Sequence, residues 1–212
     1  MTDRSPINTG RIDWAGENHC LYLEAGPEGP WTAAFSVFRI KWSPFGPGTG
    51  VMALCRPGAE AADSENFCLS DNGRLFRWLA EEFALHYGAF KDRPAFETMA
   101  FDSLRSQEGG HAPDGSYRER FTGTGRDLVL DWRELRPPVQ LQLTPETTST
   151  GRHEVFGSYV TAGNAGARLN GRPLDGAVHA KPFLMGETTS AYLIFSESWI
   201  VPEGAAAGER IA

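Results

Sequence analysis

The chain has 212 residues, 41% of them hydrophobic and 22% charged, which is enough apolar material for one large core without covalent staples. A formal charge of −7 and a pI near 5.3 argue against a nucleic-acid partner, because a phosphate-binding face is usually basic. No apolar run of about 18 residues occurs, so no membrane-spanning helix is expected, and the polar start Met1-Thr2-Asp3-Arg4-Ser5-Pro6 lacks an apolar signal segment.

In chain order, residues 10–55 hold strand candidates. His19, Leu21 and Leu23 alternate with Cys20, Tyr22 and Glu24. Trp31 to Trp42 is apolar on both faces at its centre, the pattern of a central strand. Gly46-Pro47-Gly48-Thr49-Gly50 turns the chain into Val51–Cys55. Cys20, Cys55 and Cys68 show no CxxC spacing and read as buried small hydrophobes in a reducing compartment, so a cytoplasmic location is expected.

One helix is expected over about 73–88. Asp71 or Asn72 can cap it, and Leu75, Phe76, Leu79, Phe83, Tyr87 and Phe90 recur at helical spacing. Such a stripe covers the sheet of its own domain or serves a partner. Residues 91–116 read as an irregular loop, because Glu108-Gly109-Gly110-His111-Ala112-Pro113-Asp114-Gly115 is rich in breakers.

The remainder is β-rich. Leu128, Leu130 and Trp132 alternate with Val129 and Asp131. Val139, Leu141 and Leu143 alternate with Gln140 and Gln142. Further strands are expected around Val155–Thr161, over Ala177–Phe183 and from Ala191 onward, with a hairpin turn at Asn170-Gly171. The fold class is therefore mainly β: an antiparallel barrel or sandwich with one long amphipathic helix, as one domain over residues 1–212.

Chemistry is less legible. The five histidines form no HxH, HExxH or HxxxH pair, so no metal is expected, and no cofactor motif is found. No GxSxG elbow occurs, and no cysteine has an activating context. Glu197 interrupts the apolar parity Leu193, Phe195, Trp199 and Val201. A carboxylate on such a face would have a raised pKa suited to proton transfer. With His153 or His179 it forms the candidate catalytic set. Trp132, Tyr159, Phe195 and Trp199 are the candidate ligand-lining aromatics.

The late turn containing Gly171, the Gly-x-Trp form of Gly29-Pro30-Trp31 and the single mid-chain helix resemble lipocalin-like β-barrels, in particular bacterial domains related to carotenoid hydratases. Here the Gly-x-Trp follows an expected strand instead of opening the first one, and the helix comes early. The resemblance implies a pocket for an apolar ligand and carries over no catalytic residue. The leading expectation is a protein that binds a small apolar or aromatic molecule. The alternatives are a cofactor-free isomerase, lyase or hydratase with a Glu/His pair, and a non-catalytic interaction subunit using the helix face or the Glu108–Gly115 segment. A homo-oligomer is compatible with each.

Overall fold

Alternating side chains on successive long strands give this chain two buried faces, one inside a ring of strands and one outside it. The computed structural model describes residues 10–56, 65–183 and 186–203; the polar N-terminal segment lies outside them. The elements are β1 (Gly10–Glu24), β2 (Trp31–Trp42), β3 (Gly48–Cys55), β4 (Glu65–Ser70), α1 (Gly73–Glu82), a 3-10 turn (Ala84–His86), α2 (Pro94–Glu97), β5 (Ala100–His111), β6 (Tyr117–Gly123), β7 (Arg126–Leu135), β8 (Val139–Leu143), β9 (Glu154–Leu169), β10 (Arg172–Pro173), β11 (Ala180–Phe183), β12 (Gly186–Thr189) and β13 (Ala191–Pro202).

Neighbouring strands run β9-β13-β1-β2-β3-β4-β5-β6-β7, and β7 pairs back onto β9. These nine strands close a barrel, so a sandwich is excluded. The ring is mixed, not wholly antiparallel: β4 and β5 are parallel. A parallel pair needs a long crossover, and α1, the 3-10 turn and α2 lie in it. Asn170 and Gly171, both at positive φ (52° and 78°), form the expected turn, between β9 and β10.

The lumen is packed with Leu21, Phe35, Val51, Phe67, Phe121, Leu128, Leu130 and Trp132, all without solvent exposure. The opposite parity of β1–β4 meets the helical layer. Leu75, Phe76, Leu79 and Phe83 bury there with Trp14, Phe38, Met52 and Trp199. The helix stripe therefore covers its own barrel, not a partner. Gly50 permits this closeness: a Cβ there would lie 2.8 Å from the Phe76 ring and 2.3 Å from Leu69 O. The Asn72 side chain caps the helix by accepting from Leu75 N at 3.1 Å, and it donates to Phe45 O and Pro47 O, tying the helix start to the β2–β3 loop.

Several boundaries differ from the sequence expectation: the strand expected around Val155–Thr161 runs on to Leu169, and the one expected over Ala177–Phe183 begins at Ala180, with Ala177 in an isolated bridge to Glu24. The α-helix stops at Glu82 instead of running to about 88. Phe83 leaves helical geometry (φ −131°) as its ring packs against Trp14, Trp78, His153 and Trp199. The stretch expected to be an irregular loop over 91–116 contains α2 and the twelve-residue β5. That strand is mostly exposed and carries few apolar side chains, so its backbone pairing with β4 and β6 defines it, not burial.

Phe83 joins the helical layer to both Trp14 and Trp199. Phe83→Ala is expected to cost about 3–5 kcal/mol, measured as a lowered urea midpoint with an unchanged m-value.

Candidate functional site at the barrel mouth

The ladder along β9 changes partner part-way. Its C-terminal half pairs with β7 up to Leu135↔Ala162, and its N-terminal half pairs with β8 from Val139↔Tyr159. Between them stand Arg136, Pro137 and Pro138. Arg136 N still donates to Thr161 O at 2.9 Å, but the two prolines have no N–H, so the ladder stops. On the other edge of β9, β13 breaks register just after Phe195↔Ser158, with Ser196 at φ +52°. A bulge of this kind re-aims side chains.

Beside these two interruptions is a pocket of about 300 Å³ lined by His111, Leu135, Arg136, Pro138, Ser158, Val160, Leu193 and Phe195. Its wall is mostly apolar, with the imidazole, guanidinium and hydroxyl groups spaced around it. A wider groove of about 790 Å³ lies on the outer face of β6, β7 and β9. Most of its charges already neutralise one another: Arg120 with Asp127, and Arg118 and Arg133 with Asp131.

Behind the pocket wall is a polar layer of the lumen. The His19 ring lies 4.8 Å from Phe195 and 5.3 Å from Tyr117, centroid to centroid, and Tyr117 in turn meets His111 and Phe195. Arg39 Nη1 donates to Glu17 Oε2 at 3.1 Å and to the Tyr117 hydroxyl at 2.6 Å, and Arg39 Nη2 pairs with Glu119 Oε2 at 3.0 Å. Gln107 donates weakly to that same oxygen at 3.4 Å. Glu119 Oε1 has no hydrogen-bond partner among the described residues. His19 Nε2 lies 3.6 Å from Glu17 and 3.7 Å from Glu119, beyond hydrogen-bond length. The side chains of Glu17 and Arg39 keep 26% and 15% exposure, whereas those of His19 and Glu119 keep none, so the layer opens to solvent on the Glu17 side. Gly109 makes room for Arg39: a Cβ there would fall 2.9 Å from Nη2.

Burial pushes the Glu119 carboxyl up to about 7, against the pull of Arg39. The Glu17 carboxyl is held down to about 2, chiefly by the neighbouring imidazole, then by Arg39. His19 is shifted down, because burial outweighs the carboxylate beside it. The layer thus sets two carboxyls and a desolvated imidazole around one guanidinium.

The residues singled out from the sequence are divided between two places. Phe195 lines the pocket. Trp132 lies in the lumen beneath it, 6.2 Å from His19, with its indole N–H donating to Cys20 O. Tyr159 and Trp199 belong to the layer outside the ring. Glu197 is there too: its Oε1 accepts from the Trp199 indole N–H at 2.8 Å, and its Oε2 is without a hydrogen-bond partner among the described residues. His153 packs on Trp199 at 5.4 Å and bonds Asp13 at 3.0 Å through Nε2 and Thr150 at 2.7 Å through Nδ1. Trp199 therefore stands between Glu197 and His153. His179 is tied by backbone hydrogen bonds to Ser190 and does not join them. None of the three lines the pocket.

Sequence reasoning misses Glu17, His19, Arg39, Tyr117 and Glu119 as a group. The signal that could find them is strand parity: in Tyr117–Gly123, Arg118 and Arg120 point outward, and the intervening Glu119 points in. Among the described residues no group of three His, Cys, Asp or Glu side chains is arranged to hold a metal ion, and no helix is long and apolar enough to cross a membrane. No family model matches the chain, no curated protein matches its sequence, and no solved structure matches its fold.

Glu197 offers a separate test of burial. Complete burial pushes its carboxyl up to about 8, against the Trp199 hydrogen bond. From about pH 4.5 to 8 the unfolded chain has lost this proton and the folded one keeps it, so the group's contribution to stability falls as pH rises through that window. Glu197→Gln removes the titration. The variant is expected to match the wild type near pH 4 and to exceed it by a few kcal/mol at pH 9, at about 1.4 kcal/mol for each tenfold difference in proton affinity between the two states. Paired urea denaturations at the two pH values measure the difference.

Proposed function

We propose that this protein binds a small, largely apolar or aromatic molecule at the mouth of its barrel. The observation that carries the reading is the pocket wall itself. Leu135, Pro138, Val160, Leu193 and Phe195 offer an apolar surface beside a few polar groups, the usual composition of a ligand site. The lipocalin-like resemblance would place a ligand deep in the lumen. Here side chains pack that space, so the proposed ligand sits above them, against Phe195 and Leu193.

A second reading is catalytic. A carboxyl near neutrality 3.7 Å from an imidazole, Glu119 beside His19, has the make-up of a proton-transfer pair. It supports the isomerase, lyase or hydratase alternative better than Glu197 with His153, which Trp199 separates.

Ser158 lines the pocket and is half-buried, so Ser158→Phe fills the space without deleting core. In isothermal titration calorimetry, 2-phenylethanol or indole is expected to saturate the wild type, with affinity lost in Ser158→Phe at an unchanged Tm. Binding that survives in the filled variant, or wild type that never saturates with either probe, overturns the assignment.

A further inference from the structure

We infer that the occupant of the mouth is an amphipathic amine, with its apolar body on the pocket wall and its protonated nitrogen directed inward to Glu17 and Glu119. This rests on the reading of the mouth as a ligand site and adds the chemistry of the ligand's inner end.

Charge inventory is the first support. The groups that face Glu119 are Glu17 and His19 from β1, Arg39 from β2, Gln107 from β5, and Tyr117 on its own strand, with His111 beyond Tyr117 at the rim. Two carboxyls thus share one guanidinium, and that guanidinium is already engaged by Glu17, Tyr117 and Glu119. When both carboxyls are ionised, two negative groups face one guanidinium. Arg136 and His111 do not supply a second cation, because they stand exposed at the outer rim, where water screens them.

The second support is an orphaned acceptor. Glu119 is wholly buried, and among the described residues its Oε1 has no hydrogen-bond partner. A buried acceptor left unmade costs free energy comparable to a lost hydrogen bond, and more when it is charged. An ammonium group has three donors and no acceptor. It can meet Glu119 Oε1 and Glu17 at once, whereas an incoming carboxylate would add a third negative group.

The third support is the surrounding rings. Tyr117, Trp132 and Phe195 all pack around His19 beside these carboxyls. Aromatic faces next to carboxylates favour a desolvated organic cation. Phe195 is the partition between the pocket and this layer. It is half-buried, and β13 loses register immediately after it. Its ring lines the pocket on one side and packs on His19 on the other, and His19 Nε2 lies 3.7 Å from Glu119.

The test is calorimetric titration of the full-length chain at pH 8 with three compounds of similar shape: 2-phenylethylamine, 2-phenylethanol and 3-phenylpropionate. The amine is expected to bind at least ten times more tightly than the other two. Glu119→Gln, checked for an unchanged Tm, is expected to close most of that gap; Glu17→Gln, whose side chain reaches solvent, gives the same comparison if the buried variant fails to fold. Glu119 takes up a proton below about 7 while an aliphatic amine stays charged, so the wild-type amine affinity is expected to drop roughly tenfold from pH 8 to pH 6. Equal affinity for all three compounds overturns the amine and leaves the ligand site standing. Tighter binding of the carboxylate overturns it in favour of Arg39 as the anchor. A folded wild type that binds none of the three overturns both readings.

Discussion

A closed ring of nine strands cannot alternate direction all the way round. With an odd number of members, at least one neighbouring pair must be parallel, and here a single pair, β4 and β5, meets that requirement. The consequence is structural: a parallel pair cannot be joined by a tight turn, so the chain must leave one end of the barrel and return to the other. Residues 71–99 make that journey, and their apolar stripe needs a surface. They find it on the outer faces of β1 to β4, which is why Cys20, Phe38, Met52 and Cys68 are as buried as the lumen side chains. The two-faced apolar pattern of β2, the helical stripe and the parallel pair are one constraint expressed three times.

The same geometry creates two separate buried polar systems from one strand. In β1, Glu17 and His19 point into the ring, whereas Asn18, Cys20 and Tyr22 point out beneath the crossover. The inner system is linked by Arg39 and reaches solvent at Glu17. The outer one contains Glu197 with the buried hydroxyls of Tyr22 and Tyr87, and among the described residues no cation is paired with that carboxyl. Both hold a carboxyl pushed up by burial. The inner system adjoins the pocket at Phe195, so proximity to solvent and space, not the size of the shift, marks it as the candidate site.

Local pattern is legible in the sequence; closure is not. Leu75, Phe76 and Leu79 declare a helix because their stripe buries on one side, although the stripe's continuation at Phe83 and Phe90 is buried without being α-helical. Val139–Leu143 declares a strand because its parity is clean. Asn170-Gly171 declares its turn because both residues accept positive φ. By contrast, β5 is a strand for reasons of backbone pairing with β4 and β6, and Ser103, Ser106, Gly109 and Gly110 carry no apolar record of that. The β7–β9 contact that shuts the ring runs from Leu128↔Leu169 to Leu135↔Ala162, far apart in sequence, and leaves no local mark. Glu119 shows how local composition misleads: beside Arg118 and Arg120 it resembles a broken basic cluster on the surface, yet strand parity sends it alone to the interior. Glu197 does lie on a buried face, as its apolar neighbours predict. Strand parity cannot say which of two buried faces that is, and the bulge between Phe195 and Ser198 shifts it to the outer one.

Closing a sheet removes its edges and with them most ways for a ligand to reach the interior. Access then comes through the barrel ends and where the ladder is interrupted. Beside β9 it is interrupted on both sides: at Pro137-Pro138, which cannot donate, and at the bulge after Phe195. Both failures border Ser158 and Val160, and the polar layer of the lumen lies directly behind. Either interruption alone is an ordinary irregularity of a long strand. Their coincidence, opposite a layer whose carboxyls outnumber its guanidinium two to one, gives the barrel a wall segment that is at once open, apolar at the surface and negatively biased beneath. The position of the site therefore follows from two prolines and one bulge, and its charge preference follows from the inward parity of Glu17 and Glu119.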